Sequence, residues 1–386
     1  MRWKKIFRCL PALLLVVAML AGCTKQPQTD IPQNSTEAGA EVDSEVREEE
    51  GKDDEPYTSG LVNVRNPELI NWDSEKSIVQ TAIDNQTMII QFMSGEGCYI
   101  AGDGANTTKW GDSVLIVFPN GETMLIDAGM NSYGWYLVEN LKKLGIEKLD
   151  YIMMSHMHGD HYYGFTAADG VLNNFEVGTY FWSGIYSKTY ENNSLRYQME
   201  YAAELYGIKQ VMLAQGDEIW FGDVKMTILA PKQGLVGSYT SANTDEADNA
   251  ASIVARFDYG EASYLTAGDL YVDAERKLLE SIDKELLSVD IVKMNHHGRT
   301  TSSCKEWCEA LNAKIAVATG SIEVVAATYS NYAKLGMVPY VDTFDGFVRV
   351  EAKNDGSFTV ETSRKRVHDV FDTLDQKYGI QRKSEY

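Results

Sequence analysis

Three things are scarce in this chain of 386 residues, and each scarcity narrows what it can be. Positive charge is scarce: 35 Lys and Arg stand against 56 Asp and Glu, for a formal net charge of −21. A protein that grips phosphate backbones carries a basic face, and nothing in the sequence suggests one. Long apolar runs are scarce too. The stretch Leu10–Leu20 is too short to span a bilayer comfortably. Cysteine is scarce, at five residues. Cys304 and Cys308 stand four apart in TSSCKEWCEAL, which reads as a helix start. They read as small packed side chains, and no second Cys/His pair lies near enough to complete a zinc site. No internal repeat is visible.

The chain's first residues combine a basic start (Arg2, Lys4, Lys5, Arg8) with that short apolar stretch and then Leu20-Ala21-Gly22-Cys23. This is the pattern of a secretory signal. Its ending resembles a bacterial lipobox, which implies cleavage before Cys23 and lipidation of its thiol. From Thr24 to about Pro56 the chain is Gln, Ser, Thr, Glu and Asp with few large apolar residues, too polar to offset its ordering entropy. The expected organisation is a lipoprotein signal peptide at 1–22 and a lipid-anchored, acidic, disordered linker at 23–86. A catalytic domain at 87–363 and a C-terminal helical tail at 364–386 complete it. The protein is expected outside the cytoplasm, anchored to the bacterial cell membrane.

Within the domain, Met88–Phe92 and Ser113–Phe118 read as strands, and Pro119-Asn120-Gly121 turns into a third over Thr123–Ile126. Glu75–Ile83 and Trp135–Leu144 have helical spacing, the second capped by Gly145. Further strands are expected at Val211–Leu213, Val224–Leu229, Ser252–Phe257, Tyr264–Ala267 and Asp290–Met294, with a helix at Ala274–Ser281. Strand pairs alternating with helices predict an α/β fold of two mixed sheets covered by helices.

The chain is organised around DYIMMSHMHGDH, Asp150–His161. Tyr151–Met154 reads as a buried strand that delivers His156, His158, Asp160 and His161 within six positions. Imidazole and carboxylate are ligands for zinc, manganese and iron. Three of the chain's six histidines fall in this hexapeptide, so a metal site is the expectation.

His156-Met157-His158-Gly159-Asp160-His161, preceded by Leu125-Ile126-Asp127-Ala128-Gly129, resembles the metallo-β-lactamase superfamily. Leu265-Thr266-Ala267-Gly268-Asp269 is similar to that family's bridging-aspartate strand, and IVKMNHHG (Ile291–Gly298) to its last histidine motif. Residues 109–116 and Asp248-Asn249-Ala250-Ala251-Ser252, with the Asn-His-His element, narrow the likeness to two branches. One is the phosphorylcholine esterases that act on wall teichoic acids. The other is the nuclease-like domain of competence DNA-uptake proteins. Tyr329–Ser363, with a hairpin turn at Asp355-Gly356, is similar to the end of the esterase domain, but no choline-binding repeats follow.

The resemblance implies a four-layer αββα metallo-β-lactamase sandwich, with two halves related by a pseudo-twofold axis. It also implies two divalent metal ions, zinc first and manganese as the alternative. His156 and His158 would hold one ion, and Asp160, His161 and His297 the other, with Asp269 bridging. Asp127 would fix an imidazole tautomer from behind. Asp160, Asp269 and His296 form the expected catalytic set, His296 touching a substrate oxygen or donating to the leaving group. Such a pair, about 3.5–4 Å apart, activates a hydroxide for phosphodiester hydrolysis. One departure stands out: no histidine occurs from Tyr162 to Asn295, so the first ion lacks a third imidazole. Asn249, Ser252 or water would complete it.

The substrate expected is a phosphodiester on a cell-wall polymer or a phosphocholine-like group. Tyr162, Trp182, Asn249 and Arg299 are candidate contacts, and the aromatic stretch Tyr180-Phe181-Trp182 with Tyr186 and Tyr190 could cage a quaternary ammonium. Buried packing is the plainer reading for Phe181 and Trp182. Two alternatives stand beside this: a competence-type extracellular nuclease, which the acidity opposes, and a non-catalytic binding lipoprotein.

Overall fold

The computed structural model describes residues 70, 76–93, 112–186, 190–235, 245–319, 326–366 and 369–386. The expected signal peptide, Cys23, most of the linker and Cys98 lie outside the described residues. The chain divides into units at 1–57 and 58–386, and all described residues fall in the second. No helix among them is long and apolar enough to cross a membrane.

The described chain begins with α1 (Ile78–Asn85), β1 (Met88–Phe92), the hairpin of β2 (Val114–Val117) and β3 (Thr123–Ile126), and α2 (Asn131–Lys143). Then come β4 (Lys148–Met153), α3 (Gly159–Thr166), β5 (Glu176–Trp182), α4 (Tyr190–Tyr206), β6 (Lys209–Met212), β7 (Glu218–Phe221) and β8 (Val224–Ala230). After α5 (Asp245–Asn249) follow β9 (Val254–Tyr259), β10 (Ala262–Thr266), α6 (Val272–Ser281), β11 (Ile291–Lys293), α7 (Lys305–Leu311), β12 (Ile315–Ala318) and α8 (Ala326–Ala333). The last elements are β13 (Val338–Val341), α9 (Asp342–Asp345), β14 (Val348–Ala352), β15 (Phe358–Thr362) and α10 (Asp372–Tyr378).

Two sheets result, ordered β15-β14-β1-β2-β3-β4-β5-β6 and β13-β12-β11-β10-β9-β8-β7. Period-two side-chain alternation divides the apolar residues among three layers. Ile90, Ile116, Met124 and Phe181 from the first sheet meet Phe257, Tyr264, Ile291 and Val317 from the second. The opposite face of the first sheet, with Leu115, Leu125 and Ile152, packs on α2 to α4 through Leu137, Phe165 and Met199. The opposite face of the second, with Leu265, Val292 and Ala316, packs on α6 to α8 through Leu278, Trp307 and Tyr329. This is the four-layer αββα sandwich.

The two sheets repeat one pairing scheme. From β1 to β6 successive neighbours are antiparallel twice and then parallel three times. From β8 to β13 the sequence is the same. In each half the loops after its third and fourth strands, β3 and β4 or β10 and β11, leave from C-terminal strand ends.

Two expected boundaries shift. The folded unit starts before residue 87, because Ile70 and, from α1, Ile78 and Ala82 are core residues, with the Ser77 hydroxyl capping the helix at the Gln80 amide. Among its described residues, the tail at 364–386 is helical only over α10. Its last residues lie along β15, where Phe358 and Tyr386 exchange both backbone hydrogen bonds and the Val360 amide donates to Ser384. They cover a sheet edge that would otherwise be open.

Candidate metal centre

The strand ends converge on one cluster. β3 stops at Ile126 and the chain turns through Asp127 at a φ of +59°. β4 stops at Met153, and Ser155, His156 and His158 run across the strand ends before α3 starts at Gly159, putting Asp160 and His161 in its first turn. α3 lies hard against the loop after β3. The Gly164 amide donates to the Gly129 carbonyl at 2.8 Å, and a Cβ on Gly164 would stand 1.8 Å from the Ala128 oxygen. From the other half, β10 delivers Asp269 through Gly268, and β11 leads to His296 and His297 at φ values of +47° and +56°. Non-glycine residues rarely adopt that region, and such strain collects at functional sites.

The nitrogens and oxygens face one another with little else between them. His161 Nδ1 donates to Asp127 Oδ2 at 2.8 Å, which leaves the Nε2 lone pair facing Asp269 Oδ2 at 3.1 Å. His297 Nδ1 donates to the Thr319 carbonyl at 2.9 Å, so its Nε2 lone pair faces Asp160 and Asp269, each at 3.3 Å. His156 Nδ1 lies 3.0 Å from Ser155 Oγ, which reaches Asp127 Oδ2 at 2.7 Å, and its Nε2 meets His158 Nδ1 at 3.1 Å. His156 Nε2 is 4.0 Å from Asp269 Oδ2. Lone pairs converging on lone pairs need a cation between them. Asp269 Oδ1 and His297 Nε2 are buried with no hydrogen-bond partner, which fits metal ligands.

The charges agree. Burial works against ionisation of Asp269 and Asp160, yet His161 and His297 hold both well below the usual carboxylate range. Burial likewise disfavours the charged imidazole at His297, but Asp269, Asp160 and Asp112 raise it to about 10. The carboxylates thus demand a positive charge at this point, from a proton if no cation is held. His156 goes the other way, pushed well below the ordinary histidine range first by burial and then by the neighbouring imidazoles. Burial also pushes His296 down to about 4, so it is neutral near pH 7.

Asp112, His161, Asp269 and His297 lie close enough to hold one ion. Asp112, however, approaches the Nδ1 sides of His161 (3.7 Å) and His297 (3.8 Å), where those nitrogens already donate elsewhere. It sits behind the imidazoles, paired with Lys293 at 2.5 Å. A cation held here would face the Nε2 side, with Asp160 and Asp269.

The structure brings His156, His158, Asp160, His161, Asp269 and His297 together, with Asp127 behind His161. His296 stands at the edge, its Nε2 3.8 Å from Asp269 and 3.4 Å from an Arg299 nitrogen. Its Nδ1 is 2.5 Å from Thr301 Oγ1, and its ring packs on Tyr271. Two substrate candidates are corrected. Tyr162 is fully buried and donates its hydroxyl to the Leu195 carbonyl on α4, and Trp182 lies in the core stacked on Tyr180. Asn249 is buried with its Oδ1 unpartnered, and Ser252 Oγ accepts from the Asp269 amide rather than reaching outward. Sequence reasoning missed Asp112, Ser155, Asp248, Lys293 and Thr319. The first four lie in or beside the motifs and Thr319 follows β12, but their roles depend on contacts made between the two halves or across strand ends. Asp248 Oδ2 lies 4.0 Å from His158 Nε2.

Residues 110–180 match the model of one family, the Metallo-beta-lactamase superfamily, and the two-sheet fold described above is consistent with that likeness. A curated relative, ComE operon protein 3 of Bacillus subtilis (strain 168), is 22% identical over 224 residues, 54% of this chain. The chain spans only about a quarter (26%) of that relative. Among solved structures, the metallo-beta-lactamase fold protein YhfI from Bacillus subtilis is similar at 13% identity, covering 66% of this chain and 95% of its own, with a TM-score of 0.40. A diphosphatase from the PhnP family is similar at 17% identity, covering 60% of this chain and 86% of its own, with a TM-score of 0.35.

Proposed function

We propose that this chain is an extracytoplasmic, lipid-anchored, metal-dependent phosphodiesterase that acts on a cell-wall phosphodiester or a phosphocholine-like group. The observation that carries the reading is the convergence of His161 Nε2 and His297 Nε2 on Asp160 and Asp269 at 3.1–3.3 Å, in a buried site whose carboxylates demand a positive charge. Asp160, His161 and His297 would hold one divalent cation and His156 with His158 the other, with Asp269 shared. Zinc suits this donor set first, manganese second. When bound, the pair supplies Lewis acidity to a phosphoryl oxygen and a nucleophile at neutral pH.

The chain's own residues shape the rest. His158 and Asp160 keep 21% and 23% of their side chains exposed while His156, His161, Asp269 and His297 are closed off, so a substrate arrives over His158 and Asp160. Arg299, partly exposed beside His296, is placed to take a phosphate oxygen. His296, neutral at pH 7, serves better as a hydrogen-bond partner to the substrate than as the acid that protonates a leaving group.

The test uses the full chain, stripped of metal and refilled with zinc or manganese, on p-nitrophenyl phosphorylcholine and bis-p-nitrophenyl phosphate. Turnover restored by metal and abolished by Asp269→Ala supports the reading, and the ratio of the two rates reports whether choline is recognised. Silence on both substrates with metal bound refutes it and redirects the search to carboxylic esters. Cys23→Ala is expected to release the chain from the membrane fraction. The resemblance of residues 109–116 and the Asn-His-His element to the nuclease-like branch keeps an extracellular nuclease as a second reading. Plasmid cleavage with a steep salt dependence would establish that reading.

A further inference from the structure

We propose that Lys293 and Asp112 form a fixed counter-ion pair behind the metal centre that sets how tightly the centre holds divalent cations. The inference rests on the metal reading above.

Lys293 is out of place by every local rule. It lies on β11, hydrogen-bonded in parallel to β10 on one side and β12 on the other, where strands are apolar on both faces. It is nevertheless 2% exposed. Its ammonium sits 2.5 Å from Asp112 Oδ2 and 3.4 Å from the carbonyl of Gly268, the residue before Asp269. The other Asp112 oxygen accepts from Thr319 Oγ1 at 2.6 Å, and Thr319 also supplies the carbonyl that orients His297. Asp112 enters from the first sheet and Lys293 from the second, so the pair joins the halves at the backs of His161 and His297.

Charge explains why both are there. Asp127, Asp160 and Asp269 already surround the imidazoles. Asp112 is a fourth carboxylate, itself buried, within 4 Å of His161 and His297 but on their Nδ1 sides. Buried like charges without compensation are costly, and Lys293 cancels this one. Removing either partner alone therefore changes the net charge felt by a cation in the centre, with opposite signs, whereas removing both does not. A pair that served only to brace the two sheets would show no such reversal.

The experiment measures zinc affinity of the stripped full chain at fixed pH by competition with a chromophoric chelator, with thermal unfolding of each stripped variant alongside. Asp112→Asn leaves Lys293 uncompensated and is expected to weaken zinc by roughly 10–100-fold. Lys293→Met leaves Asp112 uncompensated and is expected to tighten it. The double variant is expected within about threefold of the parent chain, because replacing both members of a buried ion pair is often close to neutral. If both single variants weaken zinc and the double is weaker still, the pair is only a brace and the proposal is overturned. Should a single variant fail to fold, the double decides: near-parent affinity supports the proposal and a large loss overturns it. A parent chain that binds no zinc overturns this and the metal reading together. Normal zinc binding without phosphodiester turnover overturns only the function proposed above.

Discussion

Replacing Asp127 with Asn changes one oxygen to an amide and removes nothing by volume, so its consequences follow from hydrogen-bond direction alone. Asp127 accepts three bonds: the Ser155 amide at 2.7 Å on Oδ1, and Ser155 Oγ at 2.7 Å and His161 Nδ1 at 2.8 Å on Oδ2. An asparagine has one accepting end. With its oxygen toward His161, its NH2 meets the Ser155 amide, donor against donor. With its oxygen toward Ser155, its NH2 meets His161 Nδ1, and His161 must carry its proton on Nε2, where a cation would bind. An unsatisfied buried donor costs about 1–3 kcal/mol, and about 1.4 kcal/mol is a factor of ten in affinity. The expected loss of zinc affinity is therefore roughly 10–100-fold, the range for partners that orient metal-bound histidines. Chelator competition on the stripped chain measures it. Affinity within about twofold of the parent would refute the claim that Asp127 sets the His161 tautomer.

Three further outcomes are expected. Gly164→Ala would force a Cβ to within 1.8 Å of the Ala128 carbonyl, where only backbone can move, so it should cost about 3 kcal/mol and several degrees of Tm. An unchanged Tm in differential scanning calorimetry would contradict the close approach of α3. His297, raised to about 10 from an ordinary 6.5, gives the metal-free chain a stabilisation that is complete below pH 6.5 and lost as pH rises through about 10. The Tm of the stripped chain should therefore fall between pH 7 and 10, and zinc binding at pH 8 should release protons, measured by calorimetry in buffers of different ionisation enthalpy. Binding with no proton release would count against the assignment. Cys304, pushed up to about 12 by burial and then by Glu275, and Cys308, raised further still, should resist iodoacetamide at pH 8 until denaturant is added. Peptide mass spectrometry on the native chain would detect the contrary.

Elements with strong local signals were legible from the residues. β1 matches its expected span of Met88–Phe92, and the Pro119-Asn120-Gly121 turn joins β2 to β3. The clustering of His156, His158, Asp160 and His161 was legible because three histidines crowd into one hexapeptide. β5 was not. No strand was expected at Glu-Val-Gly-Thr-Tyr-Phe-Trp, whose aromatic end reads equally as a ligand cage, yet Val177, Tyr180 and Trp182 pack with the helices and Phe181 between the sheets. Only the partner strands β4 and β6 make it a strand. α4 was missed as well, since its exposed Tyr197, Tyr201 and Leu205 blur the amphipathic pattern. Lys293 and Asp112 show the limit most clearly. Each is an ordinary charge in its own segment, and only the docking of the two sheets turns them into a pair.

That docking also accounts for the asymmetry of the centre. Each half contributes a carboxylate after its third strand and a histidine motif after its fourth, in the same pairing scheme. In the first half the carboxylate, Asp127, follows β3 directly and ends behind the imidazoles. In the second, β10 stops at Thr266 and the chain continues through Gly268, at a φ of +50°, before reaching Asp269. That extra turn carries Asp269 forward among the ligands. A side chain at 268 would come within 2.9 Å of Ser252 Oγ and 3.0 Å of Ser155 Cβ, so glycine is what permits the second half to close over the first. The Ile253 amide donates to the Ser155 carbonyl at the same seam. The ligands therefore belong to neither sheet alone. Holding a cation and holding the halves together become one equilibrium, in which each stabilises the other.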